Sequence, residues 1–107
     1  MATVMVLYPK TTGGLSFDMR YYVSNHMPLV VKIWGPLGLE SWEVLSFDNN
    51  PDPRYYACSI FKFADTAQAE QSLAVPEAST LFEDVPNFTN ITPTVILGKV
   101  TGSWSKA

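Results

Sequence analysis

Charged side chains are scarce in this chain of 107 residues. Asp, Glu, Lys and Arg make up 16% of it, against roughly 25% in an average soluble protein. A domain this small exposes a large share of its surface and should need more charge, not less. We therefore expect another molecule to cover part of the surface, and the simplest candidate is a second copy of the chain.

Other absences exclude several classes of protein. The single cysteine, Cys58, cannot form an internal disulfide, and no run of Lys or Arg accompanies the formal net charge of −3. No stretch approaches the roughly 18 apolar residues of a membrane span. The first eight residues lack the basic start and the longer apolar run of a signal peptide. We expect a soluble, cytoplasmic domain that binds neither nucleic acid nor membrane.

Signatures of cofactors and metals are missing as well. Gly13 and Gly14 predict only a turn, because no Walker or dinucleotide fingerprint surrounds them. His26 is the only histidine, and no second ligand stands at metal-binding spacing from it. We expect no cofactor and no metal site.

The residues that are present predict one folded domain over 1–107. Hydrophobic residues make up 47% of the chain and aromatic residues 13%, which excludes disorder. Val, Ile, Tyr and Phe are concentrated in four segments bounded by Pro, Gly, Asp or Asn, which is typical of strands. The predicted strands are residues 3–8, 39–47, 55–63 and 94–101.

Two helical regions separate these strands. Apolar residues recur at spacings of three and four between Met19 and Trp34, and Ser16 is the candidate N-cap. Pro28 removes a helical hydrogen bond, so we expect a kink or a boundary there. A second helix begins after Asp65 and breaks at Pro76, and a short helical piece is expected from 76 to about 84.

The resulting order is β-α-β-β-α-β, the ferredoxin-like arrangement, with both helices on one face of a four-stranded antiparallel sheet. A sheet with one wet face should alternate apolar and polar residues. The first strand instead has Val4 and Val6 on one face and Met5 and Leu7 on the other. The face without helices must therefore meet a partner sheet, which predicts a homodimer.

His26 is the candidate for proton transfer, because its ordinary pKa lies near neutrality. It follows Tyr22 by four residues on the predicted helix, so the two side chains can lie side by side. This pair is a candidate general base with a phenol neighbour, and the alternative is a buried histidine without function. A further set of aromatic residues can line an apolar pocket or simply form the core: Tyr8, Trp34, Trp42, Tyr56 and Phe61.

The first helical region carries a more specific pattern. Phe17-Asp18, Tyr21-Tyr22 and His26-Met27-Pro28-Leu29 follow a strand that ends in Tyr8-Pro9, and Gly38-Leu39 comes later. Together these residues resemble the EthD family, which is named for a protein encoded beside an ether-degrading cytochrome P450 system. The resemblance covers nearly the whole chain.

The resemblance implies a dimeric α/β barrel, in which two ferredoxin-like sheets face each other and each subunit keeps a pocket between sheet and helices. It also implies that His26 faces this pocket, with Tyr22 and Tyr8 near it. The family's activity is poorly defined and carries an oxidoreductase label. Related barrels include cofactor-free monooxygenases, polyketide cyclases, decarboxylases and muconolactone isomerases, and fold alone does not choose among them.

Three functions stay open at this point. The first is a small EthD-like enzyme acting on an apolar, aromatic or enolisable metabolite in an oxidative catabolic or biosynthetic pathway, with His26 as proton shuttle and Tyr22 as its orienting partner. The second is a non-catalytic auxiliary protein that holds a hydrophobic metabolite for a larger oxygenase. The third is a cofactor-free decarboxylase or cyclase.

Overall fold

One antiparallel sheet dominates the part of the chain described by the computed structural model, which is residues 1–10, 14–47 and 54–106. Its strands are β1 (Ala2–Pro9), β2 (Leu39–Ser46), β3 (Tyr55–Phe63) and β4 (Thr94–Lys99). They lie in the order β2-β3-β1-β4. The predicted ferredoxin-like topology and the strand positions are confirmed. The predicted turn at 48–53 and most of the loop at 11–14 lie outside the described residues.

The first helical region consists of α1 (Met19–Tyr21), a π-helical turn (Tyr22–His26) and α2 (Met27–Trp34). The N-cap is Asp18, whose carboxylate accepts a hydrogen bond from the Tyr21 amide at 3.0 Å, so the prediction of Ser16 was wrong. Phe17 forms an isolated β-bridge with Thr89, which keeps the chain extended past Ser16.

The predicted boundary at Pro28 is confirmed. Because Pro28 has no N–H, it cannot bond to the carbonyl of Ser24 as a regular α-helix requires. The turn before it is wider, with the Met27 amide bonded to the Tyr22 carbonyl five residues earlier. Pro28 itself lies in the first turn of α2, where a missing donor costs little.

The second helical region consists of α3 (Thr66–Ala74) and α4 (Ala78–Glu83), followed by a 3₁₀ turn at Val85–Asn87. Asp65 caps α3 by accepting a hydrogen bond from the Gln68 amide at 2.7 Å, as expected. The indole Nε1 of Trp34 donates to the Ser72 carbonyl at 2.9 Å. This buried bond joins α2 to α3 and satisfies the indole N–H within the core.

The helices cover one face of the sheet and leave the other open. Side chains on the covered face are almost fully buried, for example Val4, Tyr8 and Phe61. The open face is mainly apolar as predicted, although Glu43 on it is paired with Ile60. Its cross-strand pairs bring together six apolar residues: Met5, Leu7, Leu45, Cys58, Ile60 and Ile96. Leu45 is 43% exposed and Ile96 is 47% exposed. Cys58 in the middle of the face is 3% exposed, so within the described residues the face is open at Leu45 and Ile96 and not throughout.

Gly38 is the one glycine in the described residues with a positive φ, at 105°, and it ends the 3₁₀ turn that leads into β2. A side chain there would also collide with Gln68, which lies 2.5 Å from the position of an added Cβ. Within the described residues, no helix is both long enough and apolar enough to cross a membrane.

Candidate functional site

Two segments that are distant in sequence meet beside the covered face of the sheet. The π-helical turn contributes Tyr22 and His26, which are both buried. The end of α4 contributes Asp84, and the segment after it contributes Phe88. Widened helical turns of this kind often occur at functional sites. Because Pro28 lacks a backbone N–H, the turn before it is widened, and this turn carries His26.

Asp84 is the hydrogen-bonding partner of His26. Its Oδ2 lies 2.9 Å from His26 Nδ1, and His26 is only 6% exposed. The other carboxylate oxygen, Oδ1, accepts hydrogen bonds from the Tyr21 hydroxyl and the Asn87 side-chain amide, each at 2.8 Å. Three donors from two helical segments thus converge on one carboxylate.

The protonation state of Asp84 decides the tautomer of His26. Burial raises the pKa of Asp84, but hydrogen bonds from Asn87, His26 and Tyr21 outweigh this effect, and the pKa lies below its ordinary value. Asp84 is therefore ionised near neutral pH and can only accept. The proton between Asp84 and His26 must then lie on Nδ1, which leaves Nε2 of the neutral ring as an acceptor. Within the described residues, no protein group bonds to Nε2.

Tyr22 contacts His26 through its ring and not through its hydroxyl. The two rings stack with centroids 5.3 Å apart and an angle of 14° between their planes. The Tyr22 hydroxyl instead pairs with the Ser59 hydroxyl on β3. The residue that orients the imidazole by a hydrogen bond is Asp84.

The two buried phenols are held in their neutral form. Burial raises the pKa of Tyr8, and the neighbouring Tyr22 adds to the rise. Burial likewise raises the pKa of Tyr22, although hydrogen bonds from Ser59 and Tyr8 oppose it. Both residues can donate or accept a hydrogen bond near neutral pH, but neither supplies a phenolate base.

A cavity lies beside His26, and we call it the His26 cavity. Its volume is about 20 Å³, which is room for about one water molecule. Tyr8, Tyr22, Trp34 and Phe61 are among the residues that line it. At this volume the cavity is too small for a metabolite.

A larger depression adjoins this cavity on the outside. It has a volume of about 420 Å³ and is formed by Phe82 of α4, residues 85 and 86, and residues 89–93, and we call it the outer groove. Sites that bind small molecules typically have volumes of about 300–1,000 Å³. Phe82, Val85 and Pro93 line both the outer groove and the His26 cavity. These three side chains therefore form the wall between them.

The structure brings some of the sequence-predicted site residues together and separates others. His26, Tyr22, Tyr8, Trp34 and Phe61 all line the His26 cavity. Trp42 lies instead on β2, the edge strand of the sheet, where it lines a different depression together with Val31. Tyr56 packs against Phe17 with ring centroids 5.0 Å apart.

Sequence reasoning missed the residues contributed by the segment around 84. Asp84 is 58 positions away from His26 along the chain, so no local spacing connects them. The segment reads as a helix end followed by irregular structure. A buried histidine needs a hydrogen-bonding partner, but most acidic residues of the chain stand beside an apolar residue, so the sequence does not single out Asp84.

The chain is similar to solved structures described as EthD proteins. An EthD-like protein from Ralstonia eutropha JMP134 superimposes with a TM-score of 0.81 at 24% sequence identity, covering 99% of this chain and 96% of that chain. An ethyl tert-butyl ether D (EthD) family protein from Bacillus halodurans C-125 superimposes with a TM-score of 0.69 at 21% identity, covering 94% and 99%. These likenesses confirm the resemblance to the EthD family at the level of the fold.

Other similar structures carry different descriptions. A dimeric ferredoxin-like protein of unknown function from Jannaschia sp. CCS1 has a TM-score of 0.63 at 16% identity, covering 92% of this chain and 98% of that chain. Some are described as antibiotic biosynthesis monooxygenases. No protein-family model matches the sequence, and no curated protein is significantly similar to it.

The lowered pKa of Asp84 makes a prediction about stability. A carboxyl group whose pKa is lower in the folded state stabilises the fold above its unfolded pKa, and this stabilisation is lost as the pH falls through the folded value. Asp84→Asn should therefore reduce the free energy of unfolding by about 1–3 kcal/mol at pH 7. The difference from the wild type should shrink as the pH falls from 5 towards 2, as measured by urea unfolding at each pH.

Asp65→Asn provides the matched control, because Asn caps a helix as well as Asp does and Asp65 is exposed. Its stability difference from the wild type should stay small at every pH. A difference for Asp84→Asn that does not change with pH would contradict the assignment of Asp84 as an ionised acceptor.

Proposed function

We propose that this chain is an EthD-family enzyme in which His26 accepts a proton from an uncharged, apolar metabolite that is aromatic or enolisable. The observation that carries the proposal is the buried pair of Asp84 and His26, with Nδ1 and Oδ2 at 2.9 Å and the His26 cavity beside it. A histidine oriented by a carboxylate is a general base with a defined tautomer. The likeness to the EthD-like structures supports the family assignment.

The proposed step is a proton transfer. The lone pair of Nε2 takes the proton from a C–H next to a carbonyl or from a phenolic O–H, and the electron pair stays on the substrate as an enolate or phenolate. The imidazolium that forms is stabilised by the ionised Asp84 carboxylate. Return of the proton to the product regenerates the neutral ring.

The substrate anion is the point from which the reaction types of the related barrels diverge. Cyclisation and decarboxylation proceed from such an anion without a change of redox state in the protein. An oxidation would use dioxygen as the oxidant, reduced by the substrate anion itself. The hydroxyl of Tyr22, a residue that lines the His26 cavity, can donate to an oxyanion of the substrate.

An auxiliary, non-catalytic role is the second candidate, and one observation favours it. The His26 cavity of about 20 Å³ does not admit a metabolite, whereas the outer groove of about 420 Å³ can hold one away from His26. A protein that only stores or transfers a hydrophobic metabolite needs no access to a base.

Exchange of α-protons distinguishes the two candidates. 2-Tetralone is an uncharged bicyclic ketone, and uptake of deuterium at its α-carbon from D₂O is followed by NMR. We expect the wild type to accelerate this exchange over buffer, and His26→Gln to lose about 100-fold of the acceleration, since a general base contributes about 10²–10⁴-fold. Asp84→Asn should lose a similar factor, because it disturbs the tautomer.

Asp65→Asn is the control and should exchange at the wild-type rate. Equal rates for the wild type and His26→Gln would contradict the role of His26 as a base. Saturable binding of 2-tetralone by a wild type that does not accelerate exchange would favour the auxiliary role.

We also propose that two copies of the chain associate through their open sheet faces. Leu45 and Ile96 lie on this face and are 43% and 47% exposed, although both are large apolar residues. Packed sheets bury such faces about 10 Å apart. The similarity to a protein described as dimeric and ferredoxin-like supports this arrangement.

Light scattering coupled to size-exclusion chromatography measures the association. We expect the wild type at twice the chain mass of 11.9 kDa, and Leu45→Asp and Ile96→Asp as folded monomers, because each would bury an unpaired charge. Val31→Asp is the control, since Val31 is 45% exposed on a helix outside this face. A monomeric wild type at micromolar concentration would refute the dimer.

A further inference from the structure

The wall between the His26 cavity and the outer groove consists of side chains that border both spaces. Phe82, Val85 and Pro93 line both spaces. Val85 and Pro93 flank an irregular segment whose backbone is held by several bonds, for example from the Phe88 amide to the Val85 carbonyl at 3.1 Å. Moving the backbone at Val85 would break this bond, and the ring of Pro93 is fixed to its own backbone, so Phe82 is the part of the wall that is easiest to move.

Phe82 has the freedom that such a movement requires. It is 42% exposed, whereas its neighbour Leu81 is 4% exposed and anchors α4 in the core. Phe82 takes part in no ring contact within the described residues. Exposed side chains change rotamer within nanoseconds without any change in the backbone. Rotation of Phe82 therefore leaves α4 in place.

The hydrogen-bonded pair of Asp84 and His26 does not depend on the rotamer of Phe82. Asp84 follows Phe82 by two residues, but its carboxylate is held by Tyr21, His26 and Asn87 and not by any contact with Phe82. Opening the wall at Phe82 leaves these three hydrogen bonds intact. Access to His26 and the orientation of His26 are thus controlled by different side chains of the same short segment.

The outer groove has the chemistry of a site for an uncharged ligand. Among the residues that the structure describes, no Asp, Glu, Lys or Arg lines it. Two of its polar side chains are already engaged, because Thr89 donates to the Ser16 carbonyl at 2.6 Å and Asn90 donates to the Gly14 carbonyl at 2.7 Å. The remaining surface is mostly Phe82, Val85, Pro93 and Ile91. A carboxylate or phosphate would find no counter-charge there.

From these observations we propose that the outer groove binds an uncharged, mainly apolar ring compound and that Phe82 is the gate through which its reactive end reaches His26. The inference rests on the proposed function only for what happens at His26 and adds the binding site and the residue that limits access. It also explains how a cavity of about 20 Å³ can serve a larger substrate.

The gate makes a quantitative prediction for ligand affinity. When only a fraction of the molecules is competent to bind, the apparent dissociation constant rises by the inverse of that fraction. If the gate is open in about a tenth of the molecules, removing it should strengthen the response at His26 about tenfold. A larger side chain at position 82 should weaken that response without closing the groove.

Titration with 1-naphthol, followed by ¹⁵N NMR, tests this prediction. Backbone amides of Thr89 and Ile91 report on the groove, and the ring nitrogens of His26, the only histidine, report on the cavity. In the wild type both sets should shift. In Phe82→Ala the His26 signals should reach half-saturation at about a tenth of the wild-type concentration. In Phe82→Trp the groove amides should still shift while the His26 signals respond several-fold less.

Val31→Ala is the control, because Val31 is 45% exposed on α2 and lines neither space, and it should titrate like the wild type. Equal His26 responses in the wild type, Phe82→Ala and Phe82→Trp would overturn the gate, as would naphthol shifts that avoid Thr89 and Ile91.

This outcome is independent of the exchange experiment with 2-tetralone. If the Phe82 variants titrate as predicted but His26→Gln exchanges α-protons at the wild-type rate, the gate stands and the base is refuted. If His26→Gln loses exchange but the Phe82 variants titrate alike, the base stands and the gate is refuted.

Discussion

The carboxylate of Asp84 accepts hydrogen bonds from three side chains, and the arrangement of the site depends on it. One donor, His26, comes from the π-helical turn, one, Tyr21, precedes that turn, and one, Asn87, follows Asp84 itself. Together they tie the first helical region to the second across the covered face of the sheet. The same bonds keep the carboxylate ionised by lowering its pKa, and an ionised carboxylate determines which nitrogen of His26 carries the proton.

The sheet divides its two faces between different tasks. The covered face carries Tyr8 and Phe61, which line the His26 cavity, and the buried Ser59, whose hydroxyl pairs with that of Tyr22. The open face carries a set of apolar side chains with no role in that site. Because neighbouring positions on a strand point to opposite faces, one strand such as β1 can serve both tasks at once. This explains how a short chain with few charges supports a site and an interface together.

Much of the fold could be predicted from the sequence because its signals are local. Strands β1 and β3 are rich in Val, Tyr and Phe, and the boundary at Pro28 follows from a missing N–H, which acts on the adjacent turn alone. The local pattern favours Ser16 as the N-cap, whereas the helix begins after Asp18. The difference comes from the bridge between Phe17 and Thr89, two residues that no local pattern connects. Local patterns do not predict contacts between residues this far apart in the sequence.

The same limit applies to the site. The stacking of Tyr22 and His26 follows from their spacing of four residues, so the pair could be predicted. The bond from His26 to Asp84 depends on how the two helical regions pack, which local spacing does not reveal. Local spacing therefore predicts Tyr22, and not Asp84, as the residue that orients His26. Aromatic character alone predicts Trp42 and Tyr56 as pocket residues. Position within the sheet, however, decides which residues reach the His26 cavity, and these two do not.

The tautomer of His26 is the most direct test of the account. The ring nitrogens of the wild type can be assigned by ¹⁵N NMR without ambiguity, because the chain has one histidine. At a pH where the ring is neutral, the account predicts a proton on Nδ1 and a free lone pair on Nε2. A neutral ring with its proton on Nε2 would contradict it, since Asp84 could not then be the ionised partner of Nδ1 and His26 would present no acceptor to a substrate.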